Sequence, residues 1–382
     1  MFVVCVYKRK DYKGDIMKKI THLIIGLNQG GAETMLYKLC KSMDKSIYHI
    51  TVISLMGRGV FANKLEAYGV KVYTLNLNKF NVLFVLFRYI KIIRRIKPDV
   101  IHAWMYHANV ISILCKPFYR KTKYINSIRT GLENYDGHKN LTKFMIKLNA
   151  KFSKFSDLTL NNSKKSLEDH QNIGFKNQCF IANGFDKDVF KPSFLKYEKF
   201  RLNNDLDDNV KIIGIIARNH ADKNISRFLQ IANLLLKSNP SLRFLIAGRE
   251  CSKIDIGSYL DNKSNVNKFF VFESVDSSEY LPVLDLYLST SKVEGFPNIL
   301  AEAMLCEVPI VASNVGDCKD ILNGYGEVFE LSQGNEEIIE KIMKVLETKV
   351  VMKKRMREYI INNFSIEAIL EKHEKLYHEG SV

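Results

Sequence analysis

The chain has 382 residues, of which 46% are hydrophobic and 26% charged, with a formal charge of +16. That balance reads as a soluble globular protein, and the length leaves room for two domains of common size. The charge is one-sided: residues 1–190 hold 32 Lys and Arg against 13 Asp and Glu, a surplus of +19, whereas residues 191–382 hold 25 against 28. A basic N-terminal half favours an anionic partner. No zinc spacing, recognition helix or aromatic RNA-binding strand accompanies the charge, so a phosphate-bearing substrate or an acidic membrane surface is expected, and not nucleic acid.

Seven cysteines (Cys5, Cys40, Cys115, Cys179, Cys251, Cys306 and Cys318) are scattered and form no C-x-x-C pair, which fits a reducing, cytoplasmic setting. The longest apolar stretches, around 81–93 and 100–115, are interrupted by Arg88, Lys91, His102 and His107, so neither reads as a membrane span. Residues 1–16 have a short apolar head followed by charges, without a cleavage signature, and Met17 opens MKKITHLIIGL like a first strand. The leading segment is therefore expected to be an optional, poorly ordered extension.

From Lys18 onward, short apolar runs alternate with amphipathic stretches. Strands are predicted over 20–25, 49–55, 71–75, 100–102, 124–127, 158–161 and 178–181, with helices between most of them, including 32–43, 60–68 and 82–96. Continuous Val and Ile runs separated by helices imply parallel strands covered on both faces, a doubly wound α/β domain. Residues 183–193 and the charged stretch 196–209, which lacks clear periodicity, read as a linker. The alternation then restarts, with strands over 212–216, 243–247, 269–272, 286–289 and 310–312 and helices over 226–238, 279–283, 298–306 and 336–348. A strongly amphipathic helix with Ser365 as its N-cap closes the chain. Two tandem doubly wound domains, 17–190 and 191–360, should face a cleft at the carboxyl ends of both sheets, where such folds bind ligands.

The most informative segment is EGFPNILAEAM, Glu294 to Met304, which sets two carboxylates eight residues apart across a loop-to-helix junction. Pro297 is tolerated in a first helical turn, and the residues after it are good helix formers. Free N–H groups at such a start suit an anion, and the carboxylates suit sugar and ribose hydroxyls; a solvated Glu before an ordinary amphipathic helix is the alternative. After the first strand comes Gly26-Leu-Asn-Gln-Gly-Gly-Ala-Glu, whose Gly30-Gly31 pair lets backbone amides approach a diphosphate, or simply makes a turn. Ala217-Arg-Asn-His-Ala-Asp-Lys-Asn sets Arg218 and Lys223 in one loop before a helix, a fork of donors and a point charge suited to a diphosphate leaving group. Ile181-Ala-Asn-Gly-Phe-Asp marks the domain crossing, and Val315-Gly-Asp-Cys follows the strand after the glutamate helix.

In this order and spacing, the segments resemble the family 4 retaining glycosyltransferases of capsule, O-antigen and exopolysaccharide biosynthesis, over essentially the whole chain from Met17. The resemblance implies the GT-B architecture of two Rossmann-like domains, with 361–382 crossing back onto the N-terminal domain. It also implies roles for matching residues. Glu302 would bond the donor ribose, and Glu294 with Gly295, Phe296 and Asn298 would hold the donor sugar. Arg218 and Lys223 would bind the diphosphate, and Gly30 and Gly31 would contact it or the acceptor. In the stretch after the fourth strand His107 is the better match to the family's active-site histidine, with His102 the alternative. Arg129 would line the acceptor side or brace its loop, and Asn162-Ser163 reads as structural. No metal and no other cofactor is expected, because the basic pair does a cation's electrostatic work. Two departures stand out: Ala217 where many relatives have Gly, and the single glycine Gly316 where relatives often have two.

The expected reaction moves a sugar from a nucleotide diphosphate, UDP first, to a glycan or polyprenyl-diphosphate-linked saccharide. No protein nucleophile is evident, so front-face displacement is expected. A nucleotide-sugar epimerase and a non-catalytic partner subunit are the rivals. The predicted location is the inner face of the plasma membrane, held peripherally. Helix 82–96, with Phe84, Phe87 and the basic end Arg94 to Lys97, is a candidate for pressing against lipid; the favoured assignment puts its apolar side in the core and only the basic end at the membrane.

Overall fold

The computed structural model describes residues 17–132, 135, 140–273, 276–347 and 349–379; the 1–16 extension lies outside them. The chain divides into two compact units, Met1–Gly184 with Ile366–Val382, and Phe185–Ser365. Among the described residues the first unit holds seven parallel strands: β1 (Lys18–Ile24), β2 (Tyr48–Ser54), β3 (Lys71–Thr74), β4 (Val100–Trp104), β5 (Lys123–Ile128), β6 (Leu158–Asn161) and β7 (Gln178–Phe180). Their order is β3-β2-β1-β4-β5-β6-β7. Among the described residues each connection carries one α-helix: α1 (Gly31–Ser42), α2 (Phe61–Glu66), α3 (Val82–Ile96), α4 (Tyr106–Cys115), α5 (Asn140–Phe152) and α6 (Lys164–Asn172). A parallel pair needs such a crossover, which is why the apolar runs and amphipathic stretches alternate in the sequence.

Strand alternation gives the first sheet two unlike faces. Leu23, Ile53, Ile101 and Ala103 pack with Val85, Tyr89 and Ile93 of α3 in an apolar core. His22 and His102 are paired in register on β1 and β4 and are wholly buried. Their rings lie 5.4 Å apart, beside Trp104.

The second unit repeats the plan with a six-stranded parallel sheet in the order β10-β9-β8-β11-β12-β13. These strands are β8 (Ile212–Ile216), β9 (Arg243–Ala247), β10 (Phe269–Phe272), β11 (Leu286–Ser289), β12 (Ile310–Ser313) and β13 (Glu327–Phe329). Its helices are α7 (Phe194–Asn203), α8 (Ile225–Ser238), α9 (Ser277–Tyr280), α10 (Asn298–Leu305), α11 (Cys318–Leu322), α12 (Asn335–Leu346) and α13 (Val350–Phe364). The chain then returns to the first unit as α14 (Ile366–His378), where Tyr377 bonds His102 at 2.9 Å and His378 bonds Tyr48 at 2.9 Å.

Two expectations need correction. Residues 196–209 are not all linker, because α7 runs through them, capped by Ser193, whose hydroxyl accepts from Lys196 N. The pattern is hidden because α7 exposes Phe194, Leu195 and Leu202 and buries Arg201, whose guanidinium donates to Tyr197 Oη and Val210 O at 3.0 Å each. Helix α3 starts and ends where predicted, but its apolar residues are not confined to the core: Leu83, Phe84 and Phe87 are exposed.

Candidate functional site

In the second unit, the turn after β8 is built to hold one lysine. Ala217 N donates to Ala247 O at 2.8 Å, and Asn219 N donates to Arg249 O at 2.9 Å, which ties the Arg218 loop to the end of β9. This close approach requires Gly248: at its φ of +151°, a Cβ would sit 2.0 Å from Ala217 O. Residues 221–223 form a short 3-10 turn that ends at Asn224 in the left-handed region. Thr290 Oγ1 donates to Asn224 O at 3.0 Å, and Lys292 N donates to Asp222 O at 2.7 Å, fastening the turn to the segment after β11.

Those fastenings set Lys223 against Glu294, Nζ to Oε1 at 2.6 Å, and Ser291 Oγ donates to the same oxygen at 2.7 Å. Pro297 has φ −75° and precedes α10, so Asn298 is the first helical residue and Glu302 lies inside the helix, as the spacing predicts. Glu302 Oε2 accepts from Ser277 Oγ at 2.6 Å. Gly316, at φ +55°, lies directly under the glutamate loop: a Cβ there would sit 2.1 Å from Glu294 O, and Asp317 N donates to Gly295 O at 3.0 Å. The glycine that this chain keeps in that loop is therefore the one the close approach requires.

Lys223, Ser291, Glu294, Phe296 and Asn298 line one pocket of about 230 Å³ at the carboxyl ends of β8 and β11. Its polar groups include an ammonium, a carboxylate, an amide and the hydroxyls of Ser291 and Tyr287, and its apolar wall includes Phe296, whose ring stacks 6.2 Å from Phe185. Such a mixture suits a polar, hydroxyl-rich ligand that also carries negative charge. Arg218 is exposed in the same loop as Lys223, outside the pocket lining.

The remaining predicted residues belong to the first unit. Gly30 is the N-cap of α1, where the Glu33 carboxylate of the first turn lies 2.4 Å from the place a Cβ would take, and Gly31, the first helical residue, has open space where a side chain would stand. His107 is in the first turn of α4, half-buried, and burial lowers its pKa. Just before that helix, Met105 has φ +72° and ψ 160°, a conformation L residues rarely adopt, with its N–H donated to Ser127 O at 2.8 Å. His102 has a different environment: its two ring nitrogens meet Tyr377 Oη at 2.9 Å and Ser127 Oγ at 2.6 Å, with no exposure. The Arg129 guanidinium lies over Trp104 at 4.9 Å and donates to Asn183 Oδ1 at 2.8 Å. Its Nε and Nη2 are enclosed without a partner, and burial lowers its pKa to about 10. Ser163 caps α6, accepting from Ser166 N at 2.8 Å.

Sequence pattern does not mark Thr290, Ser291, Ser277, Asn224, Gly248 or Met105, because each acts through a fold-dependent contact. Gly59 belongs with them: at φ +56° its missing Cβ would lie 2.2 Å from Leu27 C, so it supports the loop that leads to Gly30. The family resemblance also implies that the nucleotide base is recognised largely by backbone near residues 272–275, and these lie partly outside the described residues.

A search of solved structures finds the same two-domain α/β fold. Anabaena Alr3699/HepE in complex with UDP superposes with a TM-score of 0.74 at 20% identity, covering 94% of this chain and 99% of that one. A glycosyltransferase from Rickettsia africae gives 0.75 at 19% identity, covering 94% and 98%. The fold is thus that of the GT-B glycosyltransferases. The family model for Glycosyltransferase Family 4 matches residues 29–189 and that for Glycosyl transferases group 1 matches 196–363, together most of the chain, which therefore belongs to this glycosyltransferase family. The capsular polysaccharide biosynthesis glycosyltransferase CapM of Staphylococcus aureus is 23% identical over 78% of this chain and 81% of its own length. The N,N'-diacetylbacillosaminyl-diphospho-undecaprenol alpha-1,3-N-acetylgalactosaminyltransferase of Campylobacter jejuni is 27% identical over 78% and 82%. The protein is a glycosyltransferase of polysaccharide biosynthesis.

Proposed function

We propose that the protein transfers a sugar from a UDP-sugar to a hydroxyl of a lipid-diphosphate-linked saccharide at the cytoplasmic face of a membrane, with retention at the anomeric carbon. The observation that carries the donor side is the single pocket in which Lys223, Glu294, Phe296 and Asn298 meet beside the start of α10. In this reading Glu302 and Ser277 hold the ribose, and Glu294 takes hydroxyls of the donor sugar. Lys223, Arg218 and the amides at the start of α10 hold the diphosphate. The acceptor side is supported by Arg129, a desolvated guanidinium with free donors in the basic unit, and by the lipid-diphosphate acceptor in the Campylobacter relative's name.

The chemistry follows from charge placement. The acceptor oxygen attacks the anomeric carbon on the face from which UDP departs. As the bond to the diphosphate breaks, Lys223 and Arg218 stabilise the leaving charge, and a diphosphate oxygen takes the acceptor proton. His107, in the first turn of α4, orients the acceptor hydroxyl or a donor hydroxyl. The basic pair carries the charge that a divalent cation would otherwise carry, so EDTA should leave turnover unchanged.

The test is a thermal-shift screen of the purified protein with nucleoside diphosphates, followed by transfer to a lipid-diphosphate saccharide and NMR of the product anomer. UDP should raise the melting temperature by mass action, more than GDP, and the new linkage should keep the donor's configuration. No shift with any nucleoside diphosphate, or an inverted linkage, would overturn the reading.

A further inference from the structure

The solvent face of α3 joins two kinds of surface along one line. At 100° per residue, Leu83, Phe84, Phe87, Arg88, Lys91, Arg94 and Arg95 fall within ~140° of one another, opposite Val85, Tyr89 and Ile93 in the core. The helix therefore spends its N-terminal half displaying apolar side chains to water. Leu83 is 83% exposed, Phe84 60% and Phe87 66%, and Phe80 in the preceding turn is 86% exposed. Isolated exposed apolar residues are ordinary, but a contiguous aromatic group is not.

The rest of the stripe is cationic. Lys79 lies over the Phe80 ring at 4.8 Å, and Arg88 lies over Phe84 at 5.7 Å, so charge frames the aromatic group. None of the basic side chains of α3 forms an ion pair among the described residues. The sequence holds no carboxylate between Glu66 and Asp99, and none again until Glu133. At the far end of the helix, Arg95 helps to enclose a pocket of about 220 Å³ with Lys19, His49 and Lys71. The hydroxyl of Thr51 in its wall is buried without a partner. The charged side chains of its wall, Lys19, Lys71 and Arg95, are all cationic, which suits an oxyanion.

We infer that this face docks on an anionic bilayer: Phe80, Leu83, Phe84 and Phe87 enter the acyl boundary, Lys91, Arg94 and Arg95 meet headgroups, and the Arg95 pocket receives a lipid phosphate. An apolar group ringed by cations matches the layered chemistry of a lipid interface, where aromatic side chains sit below a plane of negative charge. An acidic protein would match the cations and leave four large apolar side chains without partners. Among the described residues no helix is long and apolar enough to cross a membrane, so this surface contact is how α3 engages the bilayer. The inference names the membrane-facing surface of the enzyme proposed above, yet it is measured without donor or acceptor.

The test uses the full chain in sedimentation with vesicles of phosphatidylglycerol and phosphatidylethanolamine, against phosphatidylcholine alone. The wild type should pellet with the anionic vesicles only, and less in high salt. The double variant Phe84→Ser, Phe87→Ser should lose at least about tenfold in partition coefficient. Arg94→Glu with Arg95→Glu should lose about fivefold or more for each charge and much of the salt dependence. All four side chains are outside the core, so each variant should melt like the wild type and keep its UDP-induced shift, which separates loss of docking from loss of the donor site. Wild-type protein that stays in the supernatant, binds both vesicle types equally, or is matched by the two variants would overturn the inference.

Discussion

The Lys223 ammonium lies 2.6 Å from Glu294 Oε1, on the same oxygen that Ser291 Oγ reaches at 2.7 Å. The carboxylate is thus held by two donors before any ligand arrives, and only 12% of its side chain is exposed. A diphosphate entering this pocket meets a lysine already positioned by its partner, which is the preorganisation that charge stabilisation needs. Lys223→Ala should lower kcat by about a hundredfold or more, and Arg218→Ala should also lower it, while Lys223→Arg keeps charge but not reach and should fall between. Steady-state kinetics with the cognate UDP-sugar checks this. Near-normal turnover from both alanine variants would remove the leaving-group assignment.

Glu302 is placed to affect binding rather than chemistry. From within α10 its Oε2 accepts from Ser277 Oγ at 2.6 Å, and neither residue lines the pocket that holds Lys223 and Glu294. Glu302→Gln should raise the donor KM by about tenfold with kcat little changed, the size of a lost charge-assisted hydrogen bond. A 2′-deoxy or 3′-deoxy uridine donor should then bind the wild type as weakly as the variant binds the normal donor. Additive losses from variant and deoxy donor would rule out direct bonding to the ribose.

Two glycines separate backbone need from ligand access. Gly316→Ala puts a Cβ 2.1 Å from Glu294 O at φ +55°, so the loop must shift, with a loss of at least ~1 kcal/mol in stability and a weaker UDP-induced shift. Gly31→Ala has open space around its Cβ and a helical position, so the protein should fold as before. Any loss of activity in Gly31→Ala then reports crowding of the open space beside Gly31. Thermal melts with and without UDP distinguish the two cases.

The sequence shows most of this fold because parallel strands are buried on both faces and read as short, mostly apolar runs between amphipathic stretches. Residues 158–161, 212–216, 243–247, 269–272 and 286–289 carry strands with the ends their pattern predicts. It hides elements whose burial is inverted, such as α7 with Arg201 inside and Leu202 outside, and short ones such as β13. The same division holds in the site. Glu294, Glu302 and Lys223 stand out because charge, glycine and proline cluster around a helix start. Thr290, Ser277 and Gly248 do not, since each matters only for what the fold brings opposite it. The outward side of α3 escapes for another reason: amphipathic periodicity marks a helix, but here aromatic residues occupy both the face toward the core and the face toward solvent.

The buried histidines of the first unit make its stability acid-sensitive. His22 on β1, His102 on β4 and His373 on α14 are fully buried, with His102 and His373 rings 5.7 Å apart. Burial lowers the pKa of His22 from 6.5 to about 3, and lowers those of His102 and His373 well below the ordinary value. Arg129 and Lys372 act in the same direction on His373, whose two ring nitrogens are unpartnered. Well above pH 6.5 neither folded nor unfolded chain protonates these rings, and they add little pH dependence. Below it the unfolded chain takes up protons that the folded chain refuses, so stability falls, by ~1.4 kcal/mol per pH unit for each ring, until the folded value is reached. Melting temperature should therefore be flat from pH 8 to 7 and drop steeply between pH 6 and 5. His373→Leu removes a desolvated, unbonded imidazole, so it should melt at or above wild type at pH 7 and lose less on acidification. An acid loss in the variant equal to that of the wild type would assign the sensitivity to other groups.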